Sequence, residues 1–321
     1  MPGVMRLSFK LCLPLLVLLQ ASCAGMPGAG RSGFWIDVYR GEPLTYKDML
    51  DDLAEARVIY LGERHTLERH HTIQERIVTD LTQRGVPLVL GLEQVEAFNQ
   101  AALDRYCQRE IDFDELAEQT EWGKRWSNYE QYRPVLEAAR RAGAPILALN
   151  ARKETVRQVA RQGIDGLDSE TRSELPDEIN LDDPLYEQHM KRVMMVHAMV
   201  TPEMVRNMFE AQVARDETMA DRLCTFLESE QGCDRTAVVL CGAGHVSHRL
   251  GIPARVRRRI PGIRDRILVL SESGDVELSP RMKAMARDIT ITHEQLRELD
   301  RPIADYLHAV SLKEKPESDG N

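Results

Sequence analysis

The sequence predicts an α/β fold: a mostly parallel sheet flanked by helices in three layers, with an inserted helical lid subdomain. Three observations predict it. Short apolar runs, several ending in glycine or a polar cluster, alternate with longer segments of helical periodicity. The third strand-and-helix unit is followed by an acidic stretch, Asp165 to Pro184, broken by Leu175-Pro176-Asp177 and Asp183-Pro184. Two consecutive helical segments then come before the next strand, which is the pattern of a lid set into a sheet domain.

The elements follow in order. Arg6 and Lys10 form a positive n-region, Leu11 to Leu19 an apolar h-region, and Ala21 to Gly25 a small-residue cleavage region. The run falls short of the roughly 20 residues a membrane span needs, so residues 1–22 read as a cleaved export signal. Leu19 to Cys23 looks like a bacterial lipobox with Cys23 acylated. Residues 23–33 are then a flexible tether, and Ala24 favours the outer membrane by the usual sorting rule. The α/β domain spans residues 34–285. A helix over Leu44 to Ala56 leads to a strand over Arg57 to Leu61. His65 to Arg84 is a helix ended by Gly85, and Pro87 to Glu93 is the second strand. Tyr129 to Arg141 is a helix, Ala144 to Asn150 the third strand, and Arg152 to Arg161 a helix. The lid covers about residues 165–230, with helices over Tyr186 to Val200 and Glu203 to Glu230 around Pro202. Thr236 to Cys241 and Arg266 to Leu270 are the last two strands. Residues 286–321 read as peripheral, with a charged, disordered end.

Composition narrows the function. A net charge of -9 with no basic stripe excludes nucleic acid as a partner. The cluster Arg255, Arg257, Arg258 and Arg259 reads as a solvated face. No cysteine pair has zinc-ribbon spacing; Cys224 and Cys233 either bridge a short loop or remain free thiols.

In parallel sheets, ligands bind beyond the carboxyl ends of the strands. Four predicted strands carry polar groups there: Glu63 and His65, Glu93 and Gln94, Asn150 and Arg152, and His245 beyond Gly242 and Gly244. Each of these residues alone fits an ion pair or a cap. Together they predict a site rim, and two imidazoles with two carboxylates suit a divalent metal ion.

Leu61-Gly62-Glu63-Arg64-His65 with His70-His71 and Gln74 resembles the opening motif of the ChaN-type haem-binding lipoproteins. Glu93, Asn128-Tyr129 with Tyr132-Arg133-Pro134, Asn150-Ala151-Arg152, Ala211-Gln212 with Asp216 to Ala220, and Gly242 to Val246 with Gly251-Ile252-Pro253 continue the resemblance, from about Trp35 to Leu270. The wider group includes TIKI-type and TraB-like proteins and erythromycin esterases, which share two Gly-x-x-His motifs. The resemblance implies a haem-binding lipoprotein of the bacterial cell envelope in haem or iron uptake, facing the periplasm. It also implies a homodimer enclosing two haems and an outer-membrane haem receptor as partner. Some relatives are instead metal-dependent hydrolases; there His65, Glu93 and His245 would hold the ion and Glu63 would be the catalytic base.

The lid supplies candidates for haem. Tyr186, Met190, Met194 and His197 lie near one helical face, with His189 one turn from Tyr186. Tyrosine and histidine ligate haem iron, and methionine suits a flat apolar ligand. The same methionines also fit a lid packed on its partner helix. Glu203 to Glu230 contains no tyrosine, so the axial ligand candidates rest on position in the first lid helix.

Overall fold

Two faces of apolar side chains, offset by one residue along each strand, build the molecule. The computed structural model describes residues 33–194, 201–270 and 301–310. Its strands are β1 (Gly33–Asp37), β2 (Glu42–Leu44), β3 (Val58–Glu63), β4 (Leu88–Glu96), β5 (Ile146–Asn150), β6 (Thr236–Gly242), β7 (Asp265–Leu270) and β8 (Tyr306–Val310). They form one sheet in the order β2-β1-β8-β7-β3-β6-β4-β5. From β8 to β5 all neighbours are parallel; β1 pairs antiparallel with both β8 and β2.

Because side chains alternate across a strand, each strand feeds both cores. Ile59, Leu61, Leu90, Leu92, Val238 and Leu240 face one side, where α1 (Tyr46–Leu53), α2 (Glu68–Gln83), α3 (Gln100–Cys107), α4 (Phe113–Gln119), α5 (Trp122–Arg125) and α6 (Arg133–Arg141) pack. Val58, Tyr60, Val89, Val239 and Cys241 face the other. The strands are buried on both faces, which is why they read as continuous apolar runs. The remaining helices are α7 (Lys153–Gln162), α8 (Ser169–Ser173), α9 (Pro184–Met194), α10 (Pro202–Leu227) and α11 (Gly251–Arg259).

The three-layer arrangement is the predicted one, with four departures. The segment from Ala97 to Arg125, given no elements in the sequence reading, holds α3, α4 and α5. Its apolar residues are spaced too sparsely for a long periodic signal, but Asp112 starts α4 with a capping box to Glu115. Second, residues 301–310 are not peripheral: β8 lies between β7 and β1, inside the sheet. A five-residue strand that pairs with β7 and, at the other end of the chain, with β1 has no local signature. Third, α10 is only half a lid helix. Its later turns, with Met219, Leu223, Cys224 and Leu227, pack on the sheet as a layer helix. Fourth, the arginine cluster is not solvated throughout, because Arg255 is buried. Cys224, buried, and Cys233, exposed, are both free thiols. The export signal, the Cys23 lipidation site, the tether up to residue 32, His197 and the charged end from residue 311 lie outside the described residues.

Candidate functional site

The parallel core aligns the carboxyl ends of its strands on one rim, with Glu63 of β3 directly opposite Gly242 of β6. At the outer edge, the register between β4 and β5 shifts. Leu92 pairs with Ala148, but the next pair is Glu96 with Asn150. The extra residues, Glu93 to Val95, bulge, and such bulges re-aim side chains. Here the bulge brings Glu93 beneath β6 and Gln94 toward β3.

Two buried carboxylates organise the rim. Glu63 Oε1 accepts hydrogen bonds from Tyr132 and from Gln94 Nε2 at 3.1 Å, and meets His65 Nδ1 at 2.7 Å. Its Oε2 accepts from Gln74 and lies 3.2 Å from His71 Nδ1. Burial pushes the Glu63 acid up, but the hydrogen bonds from His65, His71 and Tyr132 outweigh it and hold the group at about 2. Glu93 Oε2 accepts the Gly242 backbone N–H at 2.6 Å. Its Oε1 binds the Arg215 guanidinium, sits 3.2 Å from His245 Nε2 and 3.8 Å from His65 Nε2. Glu93 is therefore held well below the usual carboxylate range: burial opposes this, and His245 and Arg215 prevail.

His245 lies between two acids, with Nδ1 on Asp216 and Nε2 toward Glu93. Burial pushes this imidazole down, but the two carboxylates raise it to about 9, so it is an imidazolium at neutral pH. The other Asp216 oxygen accepts the Tyr186 hydroxyl at 2.7 Å. A single chain of contacts thus runs from the lid through Asp216, His245 and Glu93 to His65 and Glu63.

Four of the predicted rim segments do meet: Glu63 with His65, Glu93, Asn150 and His245. Asn150 Nδ2 donates to the Glu93 carbonyl at 2.9 Å and its Oδ1 accepts from Arg215 Nε at 3.2 Å. Arg152 stands apart, paired with Glu174 at 2.9 Å and stacked on Phe98. Sequence reasoning placed Gln94 on the rim beside Glu93 and found Asp216 and Tyr132 only in family motifs, without a role; Arg215 it did not single out. The available signal was in α10: Asp216 and Glu217 fall at buried positions between Val213 and Ala220, where a helix packing a face normally carries apolar residues. Among the described residues, no group of three or more His, Cys, Asp or Glu is arranged to hold a metal ion. The expected divalent ion therefore finds no support, because the carboxylate oxygens are already engaged by arginine, amide and phenol donors. Nor is Glu63 a strong general base, since a carboxylate held near 2 has little proton affinity at neutral pH.

On the lid, Tyr186 is fully buried against Phe209, and burial together with the Asp216 charge keeps its phenol protonated. His189 is half-buried, with its ring 5.3 Å edge-on to that of His248. Burial and the neighbouring His248 and Arg192 charges lower it, favouring the neutral imidazole. Met190 packs beside Tyr186 and Phe209. Met194 is the last residue of α9.

The glycines of the rim permit close approach. A Cβ at Gly242 would lie 2.8 Å from His65 Nε2, and one at Gly62 would meet Val246 at 2.8 Å and the Ala243 and Leu268 backbone at 3.2 and 3.3 Å. Gly62→Ala is therefore expected to cost about 2–3 kcal/mol and Gly242→Ala about 1 kcal/mol, since an imidazole moves more easily than backbone. Urea unfolding of both variants checks the order; the reverse order would overturn it. Beside the network, between β4 and α7, opens a cleft of about 310 Å³ whose wall includes Glu93, Asn150 and Arg215. A larger hollow of about 560 Å³ lies at the opposite end of the strands, around Leu88 and Ala144, away from these groups.

A family profile described as "Haem-binding uptake, Tiki superfamily, ChaN" matches residues 49–256. The solved structure "Cofacial heme binding to ChaN of Campylobacter jejuni" shares the fold with a TM-score of 0.64 at 19% identity, covering 87% of this chain and 97% of that one. A curated Arabidopsis thaliana protein, "Protein RETICULATA-RELATED 5, chloroplastic", is 27% identical over 242 residues, which is 69% of this chain. The chain spans about a third of that relative's length, 32%.

Proposed function

Because the chain belongs to the ChaN family of the Tiki superfamily, described as haem-binding uptake proteins, we propose that it binds haem and handles it at the bacterial cell envelope. The observation that carries this reading is the family match over residues 49–256, supported by the shared fold. In this proposal Cys23 is acylated and anchors the protein, facing the periplasm, to the outer membrane. There it exchanges haem with an outer-membrane haem receptor and pairs as a homodimer through the lid. The exposed Met204 and Met208 on α10 support an apolar lid surface for a flat ligand or a second copy.

Of the candidates for iron, His189 has the more suitable state. A neutral imidazole is the ligating form, and the surroundings of His189 favour it. His248, which sequence reasoning did not single out, stands beside it. Tyr186 ligates only after its hydroxyl leaves Asp216. His197, Met190 and Met194 complete the proposed haem-facing set.

A hemin titration of the purified protein tests the proposal. The expected result is a saturable shift of the Soret band at stoichiometric hemin. The shift should be weakened at least tenfold in His189→Ala, and its position should be retained in Tyr186→Phe. A spectrum indistinguishable from free hemin would overturn haem binding. Loss of the shifted band in Tyr186→Phe, with the band retained in His189→Ala, would move the ligand to the tyrosine.

A further inference from the structure

We propose that the cleft between β4 and α7 is a second binding site, for a small dicarboxylate that carries a hydroxyl group. The inference goes beyond haem binding and does not depend on it.

Charge selects an anion. Arg125, Lys153, Arg157 and Arg215 line the cleft against only two carboxylates, Glu93 and Glu96. Arg215 is bound to Glu93, and Arg125 is shared between Glu96 and Glu154, which leaves Lys153 and Arg157 of α7 without a carboxylate partner. Lys153 Nζ reaches only the Arg125 carbonyl, at 3.3 Å, and among the described residues the exposed Arg157 has no ion-pair partner. Two cations without a carboxylate partner match the two charged ends of a dianion.

A buried amide selects the hydroxyl. Gln94 is 3% exposed and lines the cleft. Its Nε2 is fixed on Glu63, an obligate acceptor, so the amide cannot be turned over. Its Oε1 has no hydrogen-bond partner. A buried acceptor without a donor is costly, and a ligand hydroxyl supplies one. Size agrees: about 310 Å³ is at the lower end of ligand pockets, enough for a small acid.

Calorimetric titration of the whole protein with L-malate and with succinate, which differ by one hydroxyl, tests this. Malate is expected to bind saturably at one site, and succinate about tenfold more weakly. Arg157→Gln, on the surface, should weaken both about tenfold. Gln94→Leu should abolish the preference for malate. The proposal is overturned by an absence of saturable malate binding at millimolar concentration, by equal affinity for the two acids, or by an Arg157→Gln protein that binds as the wild type does. If Gln94→Leu does not fold, the malate-to-succinate ratio in the wild type decides the role of the amide. Hemin titration of the same samples separates this outcome from that of the haem reading.

Discussion

Glu217→Leu is expected to lower the unfolding free energy by about 3–5 kcal/mol, the cost of leaving a buried charge without its partner. Glu217 is fully buried on α10 and gathers three arginines of α11. Its Oε2 accepts from Arg258 and Arg259, each at 2.7 Å, and its Oε1 lies 3.4 Å from Arg255 Nε. Arg258 and Arg259 reach solvent in part, but Arg255 is 1% exposed, with its guanidinium over the Tyr186 ring. Without Glu217, the nearest remaining carboxylate is Asp183 at 3.7 Å. The Glu217 Oε1 that accepts the Asn180 backbone N–H at 3.1 Å would also be lost, loosening the segment that leads into α9. Urea unfolding measures the effect. The double variant Glu217→Leu, Arg255→Met should recover much of the loss, because it removes both buried charges together. A single-variant loss below about 1 kcal/mol, typical of exposed pairs, would show that the arginines find water instead.

Raising the pH from 6.5 to 9 is expected to remove on the order of 3 kcal/mol of stability, at roughly 1.4 kcal/mol for each unit by which a group is shifted. The main group responsible is His245; His71, which Glu63 raises against the effect of burial, adds in the same direction. The folded value of His245, about 9, lies above the 6.5 of the unfolded chain. Its contribution is therefore fully present below 6.5 and is lost as the pH rises through 9. Glu93 and Asp216 supply the attraction; burial and Arg215 oppose it. The buried thiols Cys107, Cys224 and Cys241 add to the loss at the top of this window, because burial raises each above the usual 9 and the unfolded chain ionises there first. The acid side has the opposite sign. Glu63, held at about 2 against 4.5, stabilises above 4.5 and loses that contribution as the pH falls through 2. His70, lowered by burial to about 4, costs stability as the pH falls from 6.5 toward 4. Stability should therefore peak near pH 6.5. Urea midpoints at pH 6.5, 7.5 and 9 measure the alkaline limb, which should flatten in His245→Gln. Equal midpoints in the wild type across that range would refute the ion pair as drawn.

Much of the candidate site was legible before any coordinates. Residues at the ends of four apolar runs could be placed on one rim because parallel strands point their carboxyl ends the same way, and Glu63, His65, Glu93, Asn150 and His245 do meet there. What lay hidden were the residues that balance them. Arg215 and Asp216 belong to a helix that looked like lid, and Tyr132 to a turn before α6, remote in the chain from the acids they serve. Arg152 was misjudged for the same reason: two residues past a strand end is close enough to the rim in sequence, yet Glu174 and Phe98 draw it outward.

By itself the sequence determined the alternation of strands and helices, the rim and the family, because hydrophobic period and short motifs are local properties. Only the tertiary structure decided that β8 enters the sheet, that Arg255 is buried, and that the rim carboxylates are bound by arginine and amide rather than left open for a metal ion. Those outcomes depend on which distant groups share a low-dielectric space. There a charge must find its partner, and no local pattern names the partner.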